Sequence, residues 1–216
     1  MGIAGLVGAG RTELIRVIFG ELEKGEGDIY VNGTKVDIKN SQQAIGLGMA
    51  WVTENRKEEG LICDSSINDN VVLPILNRNV KHLFVNNKNL EKITDQYIEK
   101  LNVKTTGKGQ IVKRLSGGNQ QKIVVGKWLS TNPKILIMDE PTRGIDVGAK
   151  VQIYNLINEL TAQGMAILLI SSELPEVMGM SDRMLVMYEG GITGELDRDN
   201  FTETNIMKCA TGRNRE

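Results

Sequence analysis

Two runs of nearly unbroken apolar residues, ILIM (135–138) and AILLI (166–170), constrain this chain more than any other feature. A strand with one face in water alternates polar and apolar side chains, whereas a strand that is apolar at every position needs cover on both faces. A helix is predicted over about 149–163 between the two runs, and a short helix and then MLVMYEGGITGEL, strand and turn, follow the second. Such alternation predicts an α/β fold, a mainly parallel sheet with helices on both sides in three layers.

The first half of the chain fits the same scheme. Ile3, Ala4, Leu6 and Val7 form a short apolar run broken by glycines, and Leu14, Ile15, Ile18 and Phe19 follow at helical spacing, which predicts strand, glycine loop, helix. DIYVNGTKVDI carries an Asn32-Gly33 pair between extended segments, as a tight hairpin does, and GMAWV (48–52) is a further short strand. From about 65 to 111 the chain turns polar and helical, with Val71, Val72, Ile75 and Leu76, then Ile93, Tyr97, Ile98 and Leu101, on recurrent faces. The expected organisation is one domain over 1–216, with a core of 1–60 and 131–216 and a helical subdomain inserted at 61–130.

Composition narrows the function. A formal net charge of −1 over 216 residues provides no global attraction to nucleic acid or to an anionic membrane surface, and no nucleic-acid partner is expected. Cys63 and Cys209 are far apart and form neither a disulfide framework nor a metal-ligand cluster. No run reaches the roughly 18 apolar residues of a membrane span, and the N-terminus lacks a basic region followed by an apolar stretch. A cytoplasmic location is expected, with any membrane role exercised through a partner.

Three stretches carry chemistry. GLVGAGRTEL (5–14) fits the phosphate-cradling pattern G-x-x-x-x-G-K-[ST] at Gly5, Gly10 and Thr12, with Arg11 in the lysine position. Backbone N–H groups of Gly8, Ala9, Gly10, Arg11 and Thr12 would face an anion at a helix N-terminus, although a plain turn rich in small residues has the same letters. ILIMDE ends an apolar strand in two carboxylates, placing Asp139 to help hold Mg²⁺ and Glu140 to activate a water. A strand that meets solvent also ends in charge, but both motifs in order, each at a strand end, point to a nucleotide site. In RLSGGNQQKIVVGKWL (114–129), Ser116, Gly117 and Gly118 precede a helix with Ile123, Val124 and Trp128 on its apolar face. Alone, that is a helix cap with free N–H groups.

In this order, LSGGNQQ resembles the signature of the ABC ATPases, set between a phosphate loop and ILIMDEP–GIDVGAK over the whole chain. More narrowly, GLVGAGRTEL, VTENRKEEGL (52–61), LSGGNQQK and DEPTRGIDVGAK are similar to the second, C-terminal ATPase half of the ATP-binding proteins of bacterial monosaccharide importers. The resemblance implies a P-loop NTPase fold and ATP hydrolysis with Mg²⁺. It implies a second ATPase domain paired head to tail, transmembrane permease subunits, an indirect sugar-binding protein, and a place on the cytoplasmic face of the cell membrane. It implies that Thr12 and Asp139 serve Mg²⁺, that Glu140 is the general base, and that Ser116, Gly117, Gly118, Asn119 and Gln120 serve a nucleotide bound to the partner. By the same resemblance Asp146 would sit in the loop that crosses the dimer and Glu54 near the family's metal-sensing, permease-contacting glutamine, which would make VTENRKEEGL the coupling region; an exposed charged loop has the same composition. None of these motifs encodes the sugar.

Three departures bear on hydrolysis. Arg11 replaces a compact ammonium by a planar fork. The family's switch histidine aligns near Ser172, while the sole histidine is His82. The family's strands upstream of the phosphate loop, with their adenine-stacking aromatic residue, have no counterpart before Gly5, so the base pocket is expected to be incomplete. These losses fall on the ATP-holding side and leave LSGGNQ intact. The expectation is a domain that completes a partner's site while its own site binds ATP weakly or turns it over slowly. The alternatives are a nucleotide-gated module that never hydrolyses and a truncated inactive fragment; a soluble ABC ATPase of DNA repair or translation finds no support in coiled-coil heptads or a basic patch.

Overall fold

The computed structural model describes residues 1–81 and 84–213. In chain order the elements are β1 (Gly2–Gly5), α1 (Arg11–Ile18), β2 (Ile29–Val31), β3 (Thr34–Val36), α2 (Ser41–Gly46), β4 (Met49–Val52), α3 (Ile67–Val72), β5 (Val80–Lys81), β6 (Phe84–Val85), α4 (Asn87–Lys100), α5 (Gly117–Leu129), β7 (Ile135–Asp139), α6 (Val147–Ala162), β8 (Ala166–Ile170), α7 (Leu174–Met180), β9 (Arg183–Tyr188), β10 (Gly191–Asp197) and α8 (Glu203–Ala210). They form two compact units, one of residues 1–51, 135–140 and 166–216, the other of 52–134 and 141–165.

The first unit is built on a six-stranded sheet of order β10-β9-β1-β8-β7-β4. β1 pairs in parallel with both β8 and β9, and β7 in parallel with β8, while β10 returns antiparallel at the edge. This is the mainly parallel α/β sheet expected from the apolar runs, and Leu136, Ile137, Met138, Leu169 and Ile170 are all buried. Ala4, Met184 and Val186 pack with Val177 of α7 and Ile206 and Cys209 of α8. Phe19, after α1, meets Trp51 edge-on with ring centroids 5.6 Å apart. The two hairpins turn on Asn32-Gly33 and Glu189-Gly190, with φ 50° and 75°, and 46° and 77°. Positive φ at both central residues matches the right-handed twist of the flanking strands, and it is why glycine stands second in each pair.

The first strand is shorter than the apolar run suggested. β1 stops at Gly5, and Val7 is 92% exposed. Ala9 N–H closes a turn onto the Leu6 carbonyl at 3.0 Å with Gly8 at φ 84°, so the chain leaves the sheet before its apolar letters run out.

In the second unit α3, α4 and α6 all pack on α5. α5 is consequently buried well beyond one stripe, polar Gln120, Gln121 and Lys122 included. A Ser66–Asp69 capping box starts α3. Val72, Ile75, Leu76 and Ile93, which the periodicity marked, form a core together with Leu90, which it did not. That stretch is not wholly helical, because β5 and β6 form a small antiparallel pair. His82 lies outside the described residues.

Candidate functional site

Register brings three strand ends together. Ile170 of β8 lies opposite both Ile3 of β1 and Asp139 of β7. The residues that follow these strands, the glycine loop, Glu140, and Ser171–Ser172, therefore gather at one edge, the carboxyl edge where parallel sheets place their ligands.

The glycine loop is shaped by its neighbours. A Cβ on Gly5 would stand 2.7 Å from the Met187 carbonyl oxygen and 2.9 Å from Ala9 Cβ, so no other residue fits there without displacing backbone. Gly190 N–H donates to the Ala9 carbonyl at 3.0 Å and ties the loop to the β9–β10 turn. Gly8 has nothing within 4 Å of a would-be Cβ, and its glycine answers to φ alone. Gly10, at φ 90°, caps α1 without a side-chain bond, which leaves the first-turn N–H groups of the helix without a side-chain acceptor, as an anion site requires.

Around the loop the side chains interlock. Thr12 Oγ1 donates to Asp139 Oδ2 at 2.9 Å, and Asp139 is buried. Two hard oxygens converging beside the glycine loop are donors of the kind that would suit Mg²⁺. The described residues contain no group of three His, Cys, Asp or Glu that could hold a metal ion. Arg11 donates through Nη1 to the Ser171 carbonyl at 2.9 Å and places Nη2 3.7 Å from Glu140 Oε1, each of the two side chains only 10% exposed. The other Glu140 oxygen accepts from the Ser172 hydroxyl at 3.1 Å. Ser171 points its hydroxyl the other way, to Glu176 at 2.5 Å. Glu140 is left-handed, at φ 47°, an unusual conformation for a non-glycine residue and a frequent mark of a working site. Thus Gly5, Gly8, Ala9, Gly10, Arg11, Thr12, Asp139, Glu140 and Ser172 come together in the first unit.

The remaining marked residues lie in the second unit. Ser116 caps α5 by accepting from Asn119 N–H, and the Asn119 amide donates again to its hydroxyl at 2.9 Å. Lys104 N–H in turn donates to Asn119 Oδ1 at 2.9 Å. Asp146 caps α6 by accepting from Ala149 N–H at 2.9 Å. A Cβ on Gly118 would stand 2.7 Å from Ala149 Cβ, so this glycine sets how closely α5 approaches α6. Ser116, Gly118, Asn119, Asp146 and Lys104 line a cavity of about 290 Å³. Gln120 does not share it: its amide donates to the Val112 carbonyl at 3.3 Å and the residue is buried. Glu54 forms an ion pair with Arg143.

Arg56 escaped the sequence reading. Its Nη1 donates to the Arg143 carbonyl at 2.7 Å and its Nη2 to the Gly144 carbonyl at 3.0 Å. Burial lowers its pKa. The carbonyls lie 87 and 88 residues downstream, a separation at which no local pattern operates.

Residues 1–143 match the ABC transporter family, and the chain belongs to it. It is 51% identical over 215 residues to the ribose import ATP-binding protein of Geobacillus kaustophilus, covering all of this chain and 44% of that protein. It is 52% identical over 213 residues to the xylose import ATP-binding protein of Moorella thermoacetica, covering 98% of this chain and 42% of the other. The chain spans less than half the length of these curated relatives. In structure it superposes on a nucleotide-free ATP-binding cassette from an ABC transporter with a TM-score of 0.77 at 25% identity, covering 97% of this chain and 83% of that one. A dimeric cassette bound to ADP and Pi shares the fold, with a TM-score of 0.77 at 20% identity over 93% of this chain and 85% of that one. No helix among the described residues is long and apolar enough to cross a membrane.

Proposed function

We propose that the chain is an ATP-hydrolysing half of an importer of monosaccharides, acting with a second ATPase domain and with transmembrane permease subunits, and corresponding to the C-terminal half of the longer relatives. The observation that carries this reading is the joint at one sheet edge of a glycine loop, the Thr12–Asp139 pair and Glu140 held by Ser172. Names of the relatives, which import ribose and xylose, support a pentose or similar sugar as cargo.

In this reading the N–H groups at the start of α1 bind the phosphates, and Thr12 and Asp139 hold Mg²⁺, which neutralises phosphate charge when bound. Glu140 accepts a proton from the attacking water, and Ser172 orients its carboxylate. Ser116, Gly117, Gly118 and Asn119 face a nucleotide on the partner domain, with Asp146 beside them, while Gln120 supports the helix from within. Glu54 and the segment around it receive the permease.

The test is steady-state phosphate release from the purified protein under saturating Mg-ATP, beside Glu140→Gln. Release that the substitution abolishes supports an ATPase in its own right. Equal silence from two folded proteins that still bind ATP would sink that part of the reading. It would favour a domain that lends Ser116 to its partner, a role for which the engagement of Glu140 by Arg11 argues.

A further inference from the structure

We propose that Arg56 is a positioning residue that joins the segment around Glu54 to the loop carrying Asp146, so that a load on the former resets the latter. The inference rests on the assignment of 52–61 as the receiving segment.

The geometry is that of a two-pronged clamp. A guanidinium presents parallel donors at fixed spacing, and here they take two successive carbonyls, those of Arg143 and Gly144, at 2.7 and 3.0 Å. Gly144 is left-handed at φ 67°, so the two carbonyls are turned by a bend that Arg56 holds. Asp146 follows two residues later and caps α6. Gly117, at the start of α5, makes room for the clamp: a Cβ there would stand 2.9 Å from Arg56 Nη2 and 3.3 Å from the Gly144 carbonyl oxygen. Three segments remote in sequence therefore meet at one guanidinium.

The far end of the segment is pinned as well. Arg56 begins a single π-helical turn ending at Gly60, whose carbonyl accepts from Lys127 Nζ of α5 at 3.0 Å. A Cβ on Gly60 would press to 3.1 Å on Val124. With Glu54 paired to Arg143, the turn is attached to α5 at one end and to the 143–144 bend at the other. A groove of about 420 Å³ lined by Glu54, Asn55, Arg56, Lys57, Arg143 and Gly144 leaves the clamp within reach of a docked partner.

The experiment compares wild type with Arg56→Gln and Arg56→Lys in the full protein, reading amide exchange over 143–149, nucleotide binding, and kcat and KM for Mg-ATP. The expected result is faster exchange over 143–149, KM within about twofold of wild type, and kcat reduced by about tenfold or more. Lysine should restore little, because one ammonium cannot bridge two carbonyls in the fork geometry. Unchanged exchange over 143–149, recovery of kcat by lysine, or equal loss in KM and thermal stability would overturn the clamp. If Arg56→Gln does not fold, Arg56→Lys is judged by the same criteria. If the wild type neither binds nor hydrolyses Mg-ATP, the proposed function fails, and the exchange measurement still decides the clamp.

Discussion

The guanidinium of Arg11 donates to the Ser171 carbonyl at 2.9 Å and stands 3.7 Å from Glu140, so the residue that replaces the lysine of the glycine-loop pattern is engaged with the loop after β8 and with the carboxylate after β7. Arg11→Lys replaces the fork by a point charge that cannot keep both contacts. The expected outcome is Mg-ATP affinity at least equal to wild type and phosphate release faster by about threefold or more, or about 0.7 kcal/mol in the barrier. Rates measured at saturating nucleotide, with Glu140→Gln as the floor, check it; a slower variant means Arg11 contributes to turnover.

Thr12→Val keeps the shape of the side chain and removes the hydroxyl that donates to buried Asp139. A hydrogen bond to a charged group contributes about 1.5–3 kcal/mol, and stability should fall within that range in chemical denaturation. The more specific expectation concerns the metal: calorimetric titration should show ATP affinity losing most of its dependence on Mg²⁺. Retained dependence would exclude Thr12 as a ligand.

Gly5→Ala and Gly8→Ala separate two uses of glycine within one loop. At Gly5 the added Cβ meets the Met187 carbonyl at 2.7 Å and rigid backbone must shift, costing about 1–3 kcal/mol. At Gly8 the space is open and only the φ of 84° resists, at about 1–2 kcal/mol. Thermal melts should rank Gly5→Ala at or below Gly8→Ala, by about 2–4 °C for each kcal/mol of difference.

These glycines also show what could be seen in the sequence. β7 and β8 were legible because continuous apolar letters leave a strand few places to go, and the hairpin at Asn32-Gly33 because two positive φ values restrict its residues. The end of β1 was not, since Leu6 and Val7 are as apolar as Ile3 and only the turn at Gly8 expels them. The β5–β6 pair was hidden because strands of two residues are too short to display a period. Within the site, Asp139 and Glu140 stood out as charge ending an apolar run, whereas Ser172 was marked only through a resemblance. Arg56 was invisible in principle: its partners are main-chain carbonyls, which carry no letter.

Tyr97 links stability to pH. Its hydroxyl donates to the Leu129 carbonyl at 2.7 Å, and burial raises its pKa above the ordinary 10.0. The folded state thus holds this proton more tightly than the unfolded chain. The contribution is fully present below the unfolded value and is lost as pH rises from about 10 through the folded value. Denaturation of wild type and Tyr97→Phe should show the phenylalanine variant less stable by about 1 kcal/mol at pH 8, with the gap narrowing above pH 10. A gap constant with pH would show that the phenol ionises equally in both states.

Glu140 adopts φ 47° where the strand it follows would have continued extended. Along a regular strand, neighbouring side chains point to opposite faces, and a carboxylate beside Asp139 would be sent away from it. The single left-handed residue cancels that divergence: Asp139 reaches Thr12, and Glu140 reaches Arg11, the immediate neighbour of Thr12 at the start of α1. Two consecutive acids thereby close like a jaw on one helical turn, and the opening of that jaw is set by the conformation of one main-chain link.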